Sequence, residues 1–296
     1  MAHELRLGIL TLPNVWTEMV ERGQRAEAMG FDSFWTADHY VNPYGPPTPW
    51  FEGWTSLAAL AALTSRIRVG VPVTCITFRN PVLFAKEALT VDHISGGRLE
   101  LGLGAGYDEL EHRMMGISFP PPPERVARFR EVVEIVDGLL RHRELTYHGR
   151  YYHAEGATLR PPPVQQPRPP LVLAGKGPRM LKVIAAHADT WNSSSTLDDM
   201  RARNRFLDEQ CAALGRDAGE IRRSLLVSRL ADERAPAVWE SRELFLEIVG
   251  RYREAGVTEF VCYWPSTPAG DRGLERIAAE IVPTLRGNGT SPAPAR

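Results

Sequence analysis

Residues 169–192 read PPLVLAGKGPRMLKVIAAHADTWN, and this stretch decides the fold. Residues 171–174 form a short apolar run of strand character, Gly175, Lys176 and Gly177 break it, and Pro178 stands where a first-turn proline is tolerated. Residues 178–187 then repeat apolar side chains at helical spacing, and 189–192 begin a second strand. A strand, a tight turn, a helix and another strand in such a short span make one βα unit of a parallel sheet.

Units of this kind recur along the chain. Strands are expected over residues 5–10, 33–37, 67–73, 99–103, 171–174, 189–192, 224–228 and 259–263. Helices are expected over 15–29, 55–64, 81–94, 126–140, 178–187, 197–214, 241–255 and 274–285, with Gly30 and Gly256 placed as C′ glycines. Eight strands, each followed by a helix, predict an α/β fold, a (β/α)8 TIM barrel, as one domain over residues 1–286. Residues 107–170 interrupt the alternation between the fourth and fifth strands. They hold a proline run at 120–123, a helix, a hairpin-like 145–152 and a second proline-rich piece at 160–170. An excursion of that length in a compact domain is usually functional, and this insertion is expected over the barrel mouth. The tail GNGTSPAPAR at 287–296 is poor in apolar residues and is expected to be disordered.

Of the 296 residues 43% are hydrophobic, enough for a large core, and 35 lysines and arginines balance 36 aspartates and glutamates. A formal charge of −1 gives no sign of a nucleic-acid or membrane surface. No stretch approaches the ~18 apolar residues of a membrane span. MAHELRLGIL at 1–10 lacks a basic region followed by a long apolar run, so no secretory leader is expected. Cys75, Cys211 and Cys262 are odd in number and far apart, which fits a reducing, cytoplasmic compartment without a disulfide framework.

Catalytic groups of such barrels come from the C-terminal strand ends. The second strand delivers Asp38 and His39 there; His39 could move a proton with its charge set by the carboxylate, or simply satisfy a loop backbone. Pro72 cannot donate to a ladder, so the third strand is expected to bulge and to turn Thr74 and Arg79 to the mouth, with Cys75 read as a small buried hydrophobe. The fourth strand ends in Gly102-Leu103-Gly104-Ala105-Gly106-Tyr107, whose alternating glycines let something approach the backbone closely. Glu109, Glu111 and His112 follow without a metal-binding spacing, so no metal site is expected, and Glu109 reads as solvated charge. After the fifth strand, Ala174, Gly175, Lys176, Gly177, Pro178 and Arg179 present free N–H groups and positive charge, either as a phosphate cradle or as an ordinary glycine-rich turn. The sixth adds Asn192 to Ser195, among them Ser194, while Trp191 reads as core; Trp16, Trp50, Trp54 and Trp264 fall near rim loops and suit a planar cofactor and an apolar substrate.

The segments AEAMGFDSFWTADHY (26–40), TSRIRVG (64–70), ISGGRLELGLGAGYDELEHRMMGISFP (94–120) and residues 169–192 together resemble the luciferase-like monooxygenase superfamily, nearest its coenzyme F420-dependent oxidoreductase branch. The resemblance runs in order over about residues 5–195 and continues beyond them by fold alone. It implies a flavin or deazaflavin ring in the mouth with its phosphate on the 175–179 turn, His39 facing the reactive ring and Asp38 beside it in the pocket wall. It also implies a cis peptide under the ring at or near Pro72–Val73, which brings Val73 and Thr74 to the cofactor, and a homodimer. Tyr107 departs from the acidic residue that sugar-phosphate dehydrogenases of this family carry, which puts that substrate class in doubt.

The reading that follows is hydride transfer between a small organic substrate and carbon 5 of coenzyme F420, with His39 handling the proton. The alternatives are an FMN-dependent monooxygenase fed by a separate reductase, and a non-catalytic flavin-binding barrel.

Overall fold

The computed structural model describes residues 3–286 apart from Tyr44, Pro46 and Pro47, so the expectation for the 287–296 tail lies outside the described residues. In chain order the first half comprises β1 (Arg6–Thr11), α1 (Trp16–Ala28), β2 (Ser33–Thr36), α2 (Gly53–Leu63), β3 (Arg68–Gly70), β4 (Thr74–Cys75), α3 (Pro81–Ile94), β5 (Leu99–Gly104), α4 (Glu109–Met115) and α5 (Pro122–His142). There follow β6 (Glu144–His148), β7 (His153–Thr158), β8 (Leu171–Ala174), α6 (Pro178–His187), β9 (Thr190–Ser193), α7 (Leu197–Ala213) and β10 (Arg222–Val227). The chain then closes through α8 (Arg242–Glu254), β11 (Glu259–Tyr263), α9 (Pro268–Glu280) and α10 (Val282–Arg286).

Parallel pairings run β3-β2-β1-β11-β10-β9-β8-β5, and β5 returns to pair with both β3 and β4, closing the sheet into a barrel. The expected eight strands are these, with one difference. The third is two short pieces, β3 and β4, because the chain leaves the ladder at Val71–Val73, where Pro72 has no N–H to give. The Pro72–Val73 peptide bond is cis.

The alternating glycines of β5 answer to that break. A Cβ on Gly102 would stand 1.8 Å from the Val71 carbonyl oxygen, and one on Gly104 2.4 Å from Val73 Cγ2. What approaches the Gly104 backbone is therefore the neighbouring segment, which corrects the expectation that the space serves a ligand.

Alternate strand residues face outward, among them Leu7, Ile9, Phe34, Leu101, Leu173 and Phe260, and pack under the helices as the main core. The inward set plugs the barrel: Leu10, Trp35, Val172 and Val261 form a dry layer, with Leu12, Leu226 and Tyr263 resting on it from the mouth side. Below it lies an ionic layer in which Glu100 takes Arg6 and Arg68.

The insertion reaches the mouth through its first part, residues 107–119. The remainder goes elsewhere. β6 and β7 pair antiparallel as a hairpin that lies along α5: Leu145 packs on Gly138, the Tyr147 hydroxyl donates to Glu134, and buried Glu131 accepts the Arg150, Tyr151 and Tyr152 amides. The proline-rich 160–170 piece runs beneath the opposite end of the barrel, where Asp92 accepts the Val164 and Gln165 amides and Gln165 reaches Arg68 and Leu99. Glu131 and Asp92 explain this course: each is a buried carboxylate whose charge is satisfied by the amides it collects.

Candidate active site

The β2–α2 loop carries His39 to the rim, and α4 brings Glu111 to it from β5. Asp108 caps α4 by accepting from the Leu110 and Glu111 amides, which starts the helix three residues before Glu111 and turns that side chain inward. His39 Nδ1 lies 2.9 Å from Glu111 Oε2, while Glu111 Oε1 accepts the Tyr40 amide at 2.5 Å and the Val41 amide at 3.3 Å. Burial works against the Glu111 charge, but the hydrogen bond and charge of His39, with the two amides, outweigh it and hold the carboxyl below the usual carboxylate range. An ionised carboxylate only accepts, so the ring proton of neutral His39 sits on Nδ1 and the lone pair on Nε2. Nε2 lies 3.2 Å from the Tyr107 hydroxyl.

Two aromatic rings wall this histidine. Tyr107 stands edge-on to it with centroids 5.5 Å apart, and Trp50 edge-on at 6.3 Å. Of the other rim tryptophans, Trp54 is buried against Phe84 and donates to Thr74 Oγ1, Trp16 packs on the core, and the Trp264 ring lies under Arg22 and Arg25.

Asp38 sits next to His39 in sequence but has other work. Arg79 binds both its oxygens at 2.7 and 2.8 Å, and the Cys75 amide donates to it at 3.0 Å. It is a buried clamp joining the β2 loop to β4, and Arg79, expected at the mouth, is consumed by it and by Glu52. Thr74, likewise expected to face the mouth, is fully buried against Trp54. Gly106 backs onto Cys75 Sγ. Burial pushes the Cys75 thiol up to about 11, so it stays protonated and donates along a directed chain: Cys75 to Thr77 Oγ1, Thr77 to His112 Nε2, and His112 Nδ1–H to the Asp108 carbonyl. That chain fixes α4 against β4. Asn192 is spent inside the barrel on Ser224, whereas Ser194 reaches the rim and bonds Ser228 at 2.5 Å.

Three strands round the ring from β2, the Ala174–Arg179 turn feeds α6. Gly177 is the N-cap and offers no side chain to the first helical N–H groups, which leaves them for an anion. Its φ is −78°, and a Cβ there would meet nothing within 4 Å. Gly175 is glycine for a different reason, since a Cβ would lie 2.7 Å from Met180 Cβ. Lys176 and Arg179 are exposed beside the turn, and burial together with the nearby Arg203 holds the Lys176 ammonium below the ordinary lysine value. Cations gathered at an uncapped helix start are the chemistry of a phosphate cradle. Val73, Ala105 and Ala174 are half-buried small side chains at the ends of β4, β5 and β8.

Among the described residues there is no cluster of His, Cys, Asp or Glu that could hold a metal, and no helix long and apolar enough to cross a membrane.

A closed parallel barrel with its acid–base, aromatic and anion-binding groups gathered at the C-terminal rim defines a (β/α)8-barrel protein of the enzyme type. Residues 3–259 match the luciferase-like monooxygenase family, and the chain belongs to it. A protein of uncharacterised function from Mycobacterium tuberculosis is 30% identical over 90% of this chain and 86% of its own. An F420-dependent glucose-6-phosphate dehydrogenase of Kineococcus radiotolerans is 33% identical over 71% of this chain and 62% of its own. The fold is shared with an F420-dependent secondary alcohol dehydrogenase (TM-score 0.84, 20% identity, 96% of this chain and 100% of that one) and with an F420-dependent tetrahydromethanopterin reductase from Methanopyrus kandleri (0.79, 22%, 96% and 100%).

Proposed function

We propose that this chain is an F420-dependent oxidoreductase that moves a hydride between a small organic substrate and the cofactor while His39 moves the accompanying proton. The observation that carries this reading is the His39–Glu111 pair, which leaves a basic nitrogen at the mouth in a fixed orientation. The relatives named as F420-dependent support the choice of cofactor.

The residues present fit such a group. The uncapped α6 N-terminus with Lys176, Gly177 and Arg179 would hold its phosphate, and Val73, Ala105 and Ala174 leave room for a flat ring over the barrel plug. When bound, the deazaflavin supplies a two-electron hydride acceptor or donor. The protein does the rest. Glu111 holds the His39 ring by Nδ1, Nε2 takes or returns a substrate proton, and the Tyr107 hydroxyl keeps that nitrogen hydrogen-bonded between turnovers. Asp38 acts at one remove, by fixing the loop that carries His39.

The test is to titrate the protein with F420 and with FMN, following each chromophore's absorbance. Saturation by F420 without competition from FMN supports the reading. Tight FMN binding with oxygen uptake on reduction would replace it with a monooxygenase served by a separate reductase.

A further inference from the structure

The rim beside His39 has no charge to offer an anionic substrate. β1 pairs with β2 on one side and with β11 on the other, so rim segments 12–15, 37–52 and 264–267 are neighbours around His39. None of them contains a lysine or arginine. Arg79, which follows β4, is closed into its pairs with Asp38 and Glu52. Exposed apolar side chains collect here instead: Tyr40, Phe51, Tyr107, Leu110 and Met114 all lie on the loops and the short helix that flank His39. A second observation points the same way. The Trp50 indole N–H, on the ring standing edge-on to His39, is buried with no hydrogen-bond partner among the described residues. A buried donor left unmet is costly, and an incoming uncharged oxygen would relieve it.

We infer that the substrate is an uncharged, apolar alcohol or the corresponding ketone, its body lying on Trp50 and Tyr107 and its oxygen meeting His39 Nε2; this rests on the hydride-transfer reading above. In the oxidative direction the carbinol carbon gives up its hydrogen as hydride to the oxidised deazaflavin, the hydroxyl proton goes to Nε2, and the C–O bond becomes C=O. Two electrons leave the substrate and two enter the deazaflavin; ketone reduction reverses each transfer. A sugar phosphate is excluded on the same ground, because its dianion would be desolvated beside aromatic rings with no cation to meet it.

The experiment uses protein loaded with oxidised F420, whose occupancy is first read from the cofactor's visible absorbance. Cyclohexanone and glucose 6-phosphate are then titrated separately by calorimetry. Cyclohexanone is expected to bind saturably and glucose 6-phosphate to give no heat of binding at the same concentrations. Trp50→Ala should weaken cyclohexanone roughly tenfold through lost apolar contact, and Trp50→Phe, which keeps the wall without the N–H, should weaken it less. Cofactor occupancy should be unchanged in both variants. Saturable glucose 6-phosphate binding, no ketone binding, or ketone affinity indifferent to both Trp50 variants would each overturn the inference. Failure to load F420 overturns the reading beneath it instead, and is seen before any ketone is added.

Discussion

His39 and Glu111, 72 positions apart in the chain, meet at 2.9 Å through Nδ1 and Oε2. The contact fixes which imidazole nitrogen holds the proton, and it ties the β2 loop to α4 across the rim. Glu111→Gln keeps the volume but can present an amide donor to Nδ1, so the ring's tautomer is no longer imposed. We expect kcat to fall about 10–100-fold with KM little changed, and Glu111→Asp to recover part of the loss. Equal losses in KM and kcat would assign Glu111 to substrate binding instead.

Gly177→Asp places a carboxylate where the cofactor's phosphate is assigned. The backbone there suits any residue and the space is open, so the fold should be kept. Cofactor affinity should drop ~10-fold or more, measured by absorbance titration, because a charge-assisted contact becomes a repulsion. Unchanged affinity in the folded variant would move the phosphate elsewhere, with Ser194 and Ser228 the next place to look.

The hairpin lies on α5 and should govern stability alone. Glu131→Ala removes the acceptor of three turn amides and should cost about 3 kcal/mol in urea unfolding. KM values should not move. A changed substrate preference would show that the hairpin communicates with the mouth.

Glu259 lies fully buried at the base of the barrel, where burial first and the Glu100 charge second push its carboxyl up to about 6 from an ordinary 4.5. The folded chain holds that proton more tightly than the unfolded one. Stability from this site is therefore whole below pH 4.5 and is lost as pH rises through about 6, by about 2 kcal/mol. Glu259→Gln, which cannot ionise, should gain that much on the wild type between pH 4 and 7. A difference that stays constant across this range would contradict the assignment.

Much of this was legible in the sequence. The strand–turn–helix rhythm of 169–192 carried through the whole barrel, and Pro72 announced the break in the third strand because a missing N–H is a local fact. Partnerships across the chain were not legible. Asp38 and Arg79 both belong to rim segments, yet each is the other's partner, and no spacing reveals that. Glu111 was passed over because it adjoins His112 and was weighed for metal ligation. The Asp108-x-x-Glu111 spacing of a helix start was the available signal, and it would have turned Glu111 inward. The hairpin's location was also hidden, since alternating polarity says that a ribbon has a buried face but not which helix covers it.

The central claim is that His39 moves the proton and does not hold the cofactor, and His39→Ala tests it most directly. Turnover and F420 affinity should be measured on the same preparation. The account predicts turnover lower by roughly 10²–10⁴ with the dissociation constant for F420 little changed. Turnover equal to wild type would remove His39 from the chemistry, and a collapse of F420 affinity would make it part of the cofactor site.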